Sequence, residues 1–168
     1  SEYLLFFDMN KLQPDIKEET YQKAISKIKN LKNELTLDLI CNTLYDMFEN
    51  WNFCGFYILK GNKNEQKAYL EISFHKSEKI PCSPINMDGV CGQSLLSRKT
   101  IIVPNINEFH GHIECDPNSK SEITIPFLRE GVFSPAEYIY YVLDIDSREL
   151  DDFDEIDKKY LYEIIEMI

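Results

Sequence analysis

The chain has 168 residues, 43% of them hydrophobic and 28% charged, a length and balance suited to one globular domain that buries about 70% of its unfolded surface. Its 18 basic residues face 29 acidic ones, a net charge of −11, and Arg98, Arg129 and Arg148 are the only arginines, so a nucleic-acid partner is disfavoured. No apolar run approaches the roughly 18–20 residues that span a bilayer, and residues 3–7 lack the basic flank and length of a signal peptide, which makes the cytoplasm the default compartment.

Residues 14–31 place Tyr21, Ala24, Ile25, Ile28 and Leu31 at helical spacing behind Pro14, which suits a first helical turn, and the interspersed lysines and glutamates are expected on a solvated face. A second amphipathic helix is predicted over Leu37, Ile40, Cys41, Leu44, Met47 and Phe48, capped by Thr36, with Cys41 on its buried stripe. The period then changes to two. Segments 53–59, 68–74, 100–103, 122–127 and 138–145 are rich in β-branched and aromatic residues and read as strands of one sheet, with 62–66 a polar hairpin loop. A short helix over 90–98 starts at the Gly89 turn and is expected to pack Leu95 and Leu96 inward. The last helix opens with Asp152 and Glu155 at capping-box spacing and carries Phe153, Ile156, Tyr160, Leu161, Ile164 and Ile168 on one face. This order predicts an α+β fold in a single domain over 1–168, helical through residue 51. A mainly antiparallel sheet, with N- and C-terminal helices packed on one face, is expected from there.

The five cysteines, Cys41, Cys54, Cys82, Cys91 and Cys115, contain no C-x-x-C pair and are too few for a disulfide scaffold, so thiols are expected in a reducing compartment. Cys41 and Cys54 sit inside regular elements among apolar neighbours and read as core filler. Cys82, Cys91 and Cys115 lie in turn-rich segments, where reactive residues concentrate. Cys91 also stands at a predicted helix N-terminus, whose unpaired N–H groups favour a thiolate.

Over residues 138–146 the strand period sets Ile139, Tyr141, Leu143 and Ile145 on one face, and Asp144 and Asp146 on the other. Glu122 points away from the face defined by Ile123, Ile125 and Phe127. If these strands pair, three carboxyls converge and like charge raises their pKa values. The competing reading is a solvated polar sheet face. His110, His112, Cys115 and Asp116 match no standard zinc spacing, so no metal site is expected there. His75 reads as a strand residue at the sheet edge.

The ordered series Gly89-Val-Cys-Gly92, Val103-Pro104, Gly111-His-Ile-Glu-Cys-Asp116, Ser121-Glu-Ile123 and Leu143-Asp-Ile-Asp-Ser147 resembles the GAF-fold free methionine-(R)-sulfoxide reductases over residues 52–168. The resemblance implies a homodimeric GAF-like domain, with no bound cofactor, that reduces the free amino acid and takes electrons from thioredoxin. It matches Cys115 to the nucleophile, Cys82 to the resolving thiol and Cys91 to a third cysteine that can also enter a disulfide. Glu122, Asp144 and Asp146 match the acids around the sulfoxide and the substrate amine. Asn52-Phe-Cys-Gly-Phe-Tyr57 matches a segment whose aromatics, Phe53 and Tyr57 among them, line the pocket for the S-methyl group.

The sequence departs from the family pattern in several places. Residues 73–81 replace a glycine-rich stretch, and the nine-residue step from Cys82 to Cys91 is one shorter than usual. Phe53 stands in place of a tryptophan. The hairpin over 128–140 is long, and Tyr141 replaces a glycine, a ring expected to reshape the pocket or a dimer contact. The same residues also admit a GAF-type sensor that binds a small molecule without turnover, and a thiol peroxidase or redox sensor oxidised at Cys115 by peroxide.

Overall fold

In the computed structural model, which describes residues 11–61, 67–131 and 137–168, the chain begins with α1 (Pro14–Leu31), α2 (Leu37–Met47), β1 (Trp51–Lys60) and β2 (Tyr69–Ser77). It continues through α3 (Val90–Ser97), β3 (Ile101–Val103), β4 (Ser121–Glu130), β5 (Tyr138–Ser147) and α4 (Glu155–Glu166). Residues 3–7, the expected loop at 62–66 and part of the long hairpin, 132–136, lie outside the described residues. The strands form one sheet in the order β2-β1-β5-β4-β3, and every neighbouring pair is antiparallel. No described helix is long and apolar enough to cross a membrane.

Strand alternation divides the sheet into two chemically different faces. On one, Phe56, Ile123, Ile125, Leu143 and Ile145 meet Tyr21, Ile28, Ile40, Leu44, Leu161 and Ile164 of α1, α2 and α4 in the main core, where each such side chain contributes about 1.5–3 kcal/mol on burial. Cys41 and Cys54 are buried free thiols of this core, as their apolar surroundings predict. On the other face α3 packs against β4 and β5, and a smaller cluster forms from Phe53, Tyr57, Leu70, Cys91, Leu95 and Val142. Trp51 pairs with Ser147 but Phe53 with Asp146, so Asn52 is the extra residue of a β-bulge. The bulge brings Asn52 and Phe53 together to the α3 side, while Trp51, Cys54 and Phe56 keep to the helical core.

Four local expectations change. Lys17 is not solvated: it is 2% exposed, and its Nζ donates to Asp157 Oδ2 at 2.7 Å and to the Asp152 carbonyl at 2.8 Å. The cap of α4 is Asp154, whose side chain accepts from the Ile156 N–H while Asp157 accepts from the Asp154 N–H. The capping box therefore starts two residues after Asp152, because Phe153 is first anchored in the core and Asp152 is drawn in to accept the Ser147 hydroxyl at 2.5 Å. Leu96 is 60% exposed, since so short a helix as α3 buries only the face that carries Leu95. Tyr141 keeps to the face of Leu143 and Ile145 as alternation predicts, stacks on Phe127 at 5.3 Å and lies in the helical core, so of its two expected effects the reshaping of the pocket is not found.

Candidate active site

β1, β4 and β5 floor a pocket on the α3 side of the sheet, and two loops wall it, one carrying Lys79 to Cys82 and the other His112 to Ser119. The register explains its chemistry. Glu122 on β4 lies opposite Asp146 on β5, and Asp144 lies between Thr124 on β4 and Gly55 on β1. Three carboxyls from two strands thus share one floor. Glu122 and Asp144 are 7% and 6% exposed, so the solvated-face reading is replaced by a buried one, because α3 and the two loops roof this part of the sheet. Gly55 keeps the floor open for aromatic packing: a Cβ there would meet the Phe53 ring at 2.8 Å.

Burial pushes all three carboxyls up from the usual acid range, and the charge of Asp144 adds to the shift at Glu122 and Asp146. Hydrogen bonds from Glu122 and Cys91 act against that shift at Asp144. Among the described residues no lysine or arginine forms an ion pair with any of the three carboxyls. Asp144 Oδ1 is buried without a hydrogen-bond partner. The same holds for Asn52 Oδ1, whose amide is fixed by donation from Nδ2 to Asp116 Oδ2 at 3.1 Å and to Ser119 Oγ at 2.8 Å.

The loop cysteines separate into two environments. Cys82 and Cys115 are joined by a disulfide with a Cα separation of 5.6 Å, which ties the two walls together beside the pocket. This differs from the composition-based expectation of five thiols, and its cause is the convergence of the two loops. The replaced stretch before Cys82 still finds anchors: the Tyr57 hydroxyl donates to the Cys82 carbonyl at 2.8 Å, and Ser83 Oγ accepts from the Ile72 N–H at 3.0 Å. Lys79 reaches Asp116 Oδ1 at 3.6 Å and so also links the walls.

Cys91 is a free thiol buried in the first turn of α3. That turn closes on the backbone of Met87, where Gly92 leaves no room for a Cβ, the nearest atom being 2.2 Å away. The thiolate expected from its helical position is not favoured: burial, then the charges of Asp144, Glu122 and Asp146, push the Cys91 thiol up.

Phe53 and Tyr57 form an apolar wall with Leu95 and Val142, while Tyr141 takes no part in the pocket. His75 occupies the edge strand β2 and stacks on Phe53 from outside, with centroids 6.4 Å apart. His112 lines the pocket, and burial lowers its pKa. His110 is absent from the lining, so the His110, His112, Cys115 and Asp116 set is not gathered into a ligand shell. The sequence-based reading did not single out Asn52, Lys79 or Ser119. Asn52 stood inside a recognisable segment, but its inward position depends on the bulge.

No protein-family profile matches the chain. The chain is 35% identical over 158 residues to GAF domain-containing protein A of Dictyostelium discoideum, covering 90% of this chain and 92% of that protein. It is 30% identical over 145 residues to the free methionine-R-sulfoxide reductase of Saccharomyces cerevisiae, covering 86% and 74% respectively. Its fold is similar to the X-ray structure of free methionine-R-sulfoxide reductase from Neisseria meningitidis in complex with its substrate, with a TM-score of 0.69, 28% identity and coverage of 91% and 86%.

Proposed function

The chain belongs to the GAF-domain free methionine-(R)-sulfoxide reductase family, and we propose that it reduces free L-methionine-(R)-sulfoxide to methionine by thiol chemistry at Cys115. One observation carries this reading: a cysteine pair able to form a disulfide and three carboxyls, Glu122 and Asp144 buried and Asp146 half-buried, with no lysine or arginine partner among the described residues, occupy the same pocket.

The substrate ammonium is held by Asp144, whose buried Oδ1 has no hydrogen-bond partner, and the S-methyl group rests on Phe53 and Tyr57. In the reduced protein the Cys115 sulfur attacks the sulfoxide sulfur, and Glu122 or Asp146, carboxyls that burial pushes up from the usual acid range, supplies the proton that makes oxygen departure feasible. The oxygen ends on Cys115 as a sulfenic acid and methionine leaves. The Cys82 thiol then displaces that oxygen as water and forms the Cys82–Cys115 disulfide. Cys115 is exposed, so an external dithiol can attack the bond and restore both thiols while becoming a disulfide itself. Thioredoxin is the proposed donor.

The test couples NADPH oxidation to thioredoxin and thioredoxin reductase, with the (R) and (S) epimers of free methionine sulfoxide, wild type and Cys115→Ser. Turnover of the (R) epimer alone, lost in the variant, is expected. Undiminished turnover in Cys115→Ser would overturn the mechanism. Faster oxidation of Cys115 by peroxide than by the sulfoxide would favour a peroxidase, and ligand binding without thiol oxidation a sensor.

A further inference from the structure

The pocket floor sets a free thiol that the proposed reduction does not use, Cys91, beside two of the acids that it does use. Cys91 Sγ and one carboxylate oxygen each from Glu122 and Asp144 lie within 4.8 Å of one another, and all three residues are buried. Two further observations point to a missing electrophile. Asp144 Oδ1 and Asn52 Oδ1 each belong to a side chain more than nine-tenths buried that lines this pocket, and neither has a hydrogen-bond partner. Among the described residues no lysine or arginine pairs with Glu122 or Asp144. Two buried acceptors and a pair of carboxyls with no lysine or arginine partner, His112 being the one basic group whose charge acts on Asp144, are suited to a cation.

The donor set selects its class. Magnesium and calcium prefer shells made of oxygen, whereas one thiolate with two carboxylates suits a borderline ion of the zinc type. Zinc accepts sulfur at about 2.3 Å and carboxylate oxygen at about 2.0–2.2 Å, and three protein ligands leave a fourth position for water. The three donor atoms need to draw in to about 3.5 Å of one another, the edge of a tetrahedron with those bond lengths. Metal binding there requires rotation of the acidic side chains.

We propose that Cys91, Glu122 and Asp144 form a site for one zinc-class divalent cation, filled when no amino-acid substrate occupies the pocket. On binding, the Cys91 thiol and the carboxyls release their protons to solvent, metal–sulfur and metal–oxygen bonds form, and no electron is transferred. The site is independent of the Cys82–Cys115 couple, because Cys91 is a free thiol while that disulfide is closed. It goes beyond the reductase reading and is read out without turnover.

The experiment uses the protein with its Cys82–Cys115 disulfide intact, in which the free thiols are Cys41, Cys54 and Cys91, the first two being part of the helical core. Cobalt(II) is titrated first, then zinc(II) against bound cobalt. One equivalent of cobalt with a thiolate-to-cobalt charge-transfer band, displaced by zinc, is expected. Cys91→Ser removes the band, and Asp144→Asn and Glu122→Gln each weaken zinc binding by at least about tenfold. The two carboxyl variants are near-isosteric and decide the matter if Cys91→Ser does not fold. Absence of the band in the wild-type protein, or zinc affinity unchanged in both carboxyl variants, would overturn the site.

Discussion

Two groups of buried carboxyls in this molecule are handled in opposite ways. Between α1 and the start of α4, Asp157 receives Lys17 Nζ at 2.7 Å, the Tyr21 hydroxyl at 2.5 Å and the Asp154 N–H, and the neighbouring Asp152 receives the Ser147 hydroxyl. On the pocket floor Glu122, Asp144 and the half-buried Asp146 receive no lysine or arginine among the described residues, and Asp144 Oδ1 has no hydrogen-bond partner. The first group is closed and holds two helices together. The second is open, an arrangement expected to cost stability, and the proposed role of a cationic ligand is to complete it.

The sharpest way to break this comparison is Lys17→Met. It leaves Asp157 buried without its cation and is expected to cost about 3–5 kcal/mol in chemical denaturation; a loss below about 1 kcal/mol would put Lys17 among ordinary surface lysines, whose ion pairs contribute that little. Glu122→Gln should do the reverse. Turnover falls by about 10²–10⁴ through loss of the proton source, yet the free protein is as stable as wild type or more so, because the cost of burying an ionisable carboxyl is gone.

Asp152→Asn sharpens the first group. Burial pushes the Asp152 carboxyl up to about 6. Between the unfolded value of about 3.9 and that folded value, the native state keeps a proton the unfolded chain has lost, so stability falls as pH rises through this window. The substitution flattens the Tm-versus-pH slope there and raises Tm at neutral pH; an unchanged slope would assign the titration to another group. The smallest effect is expected from Tyr57→Phe, which deletes the bond to the Cys82 carbonyl and costs about 1 kcal/mol in urea unfolding.

Periodicity carried most of the architecture, because apolar spacing of 3.6 or 2 is a local property that the core simply reads. It carried the acid triad as well: alternation placed Asp144 and Asp146 on one face, and antiparallel pairing with β4 brought Glu122 beside them. What escaped depended on distant partners. Lys17 resembles any helical lysine until Asp157, 140 positions later, is packed against it. Asn52 turns inward through a bulge that alternation cannot encode. The raised thiol of Cys91 reflects carboxyls from β4 and β5 that outweigh the helix end. Cysteine spacing left the partner of Cys115 open; the family resemblance, not the residues themselves, matched Cys82 to the resolving thiol and kept Cys91 as an alternative partner, and the structure joins Cys115 to Cys82.

The most direct measurement is a single-turnover reaction of the fully reduced protein with free L-methionine-(R)-sulfoxide and no added reductant, followed by thiol counting and peptide mapping. The predicted result is one methionine formed per chain, loss of the Cys82 and Cys115 thiols into one disulfide, retention of Cys41, Cys54 and Cys91, and no reaction with the N-acetylated sulfoxide, which cannot supply an ammonium to Asp144. All five thiols surviving, or equal consumption of the N-acetylated compound, would contradict a pocket that pairs a redox couple with an acid triad awaiting a cation.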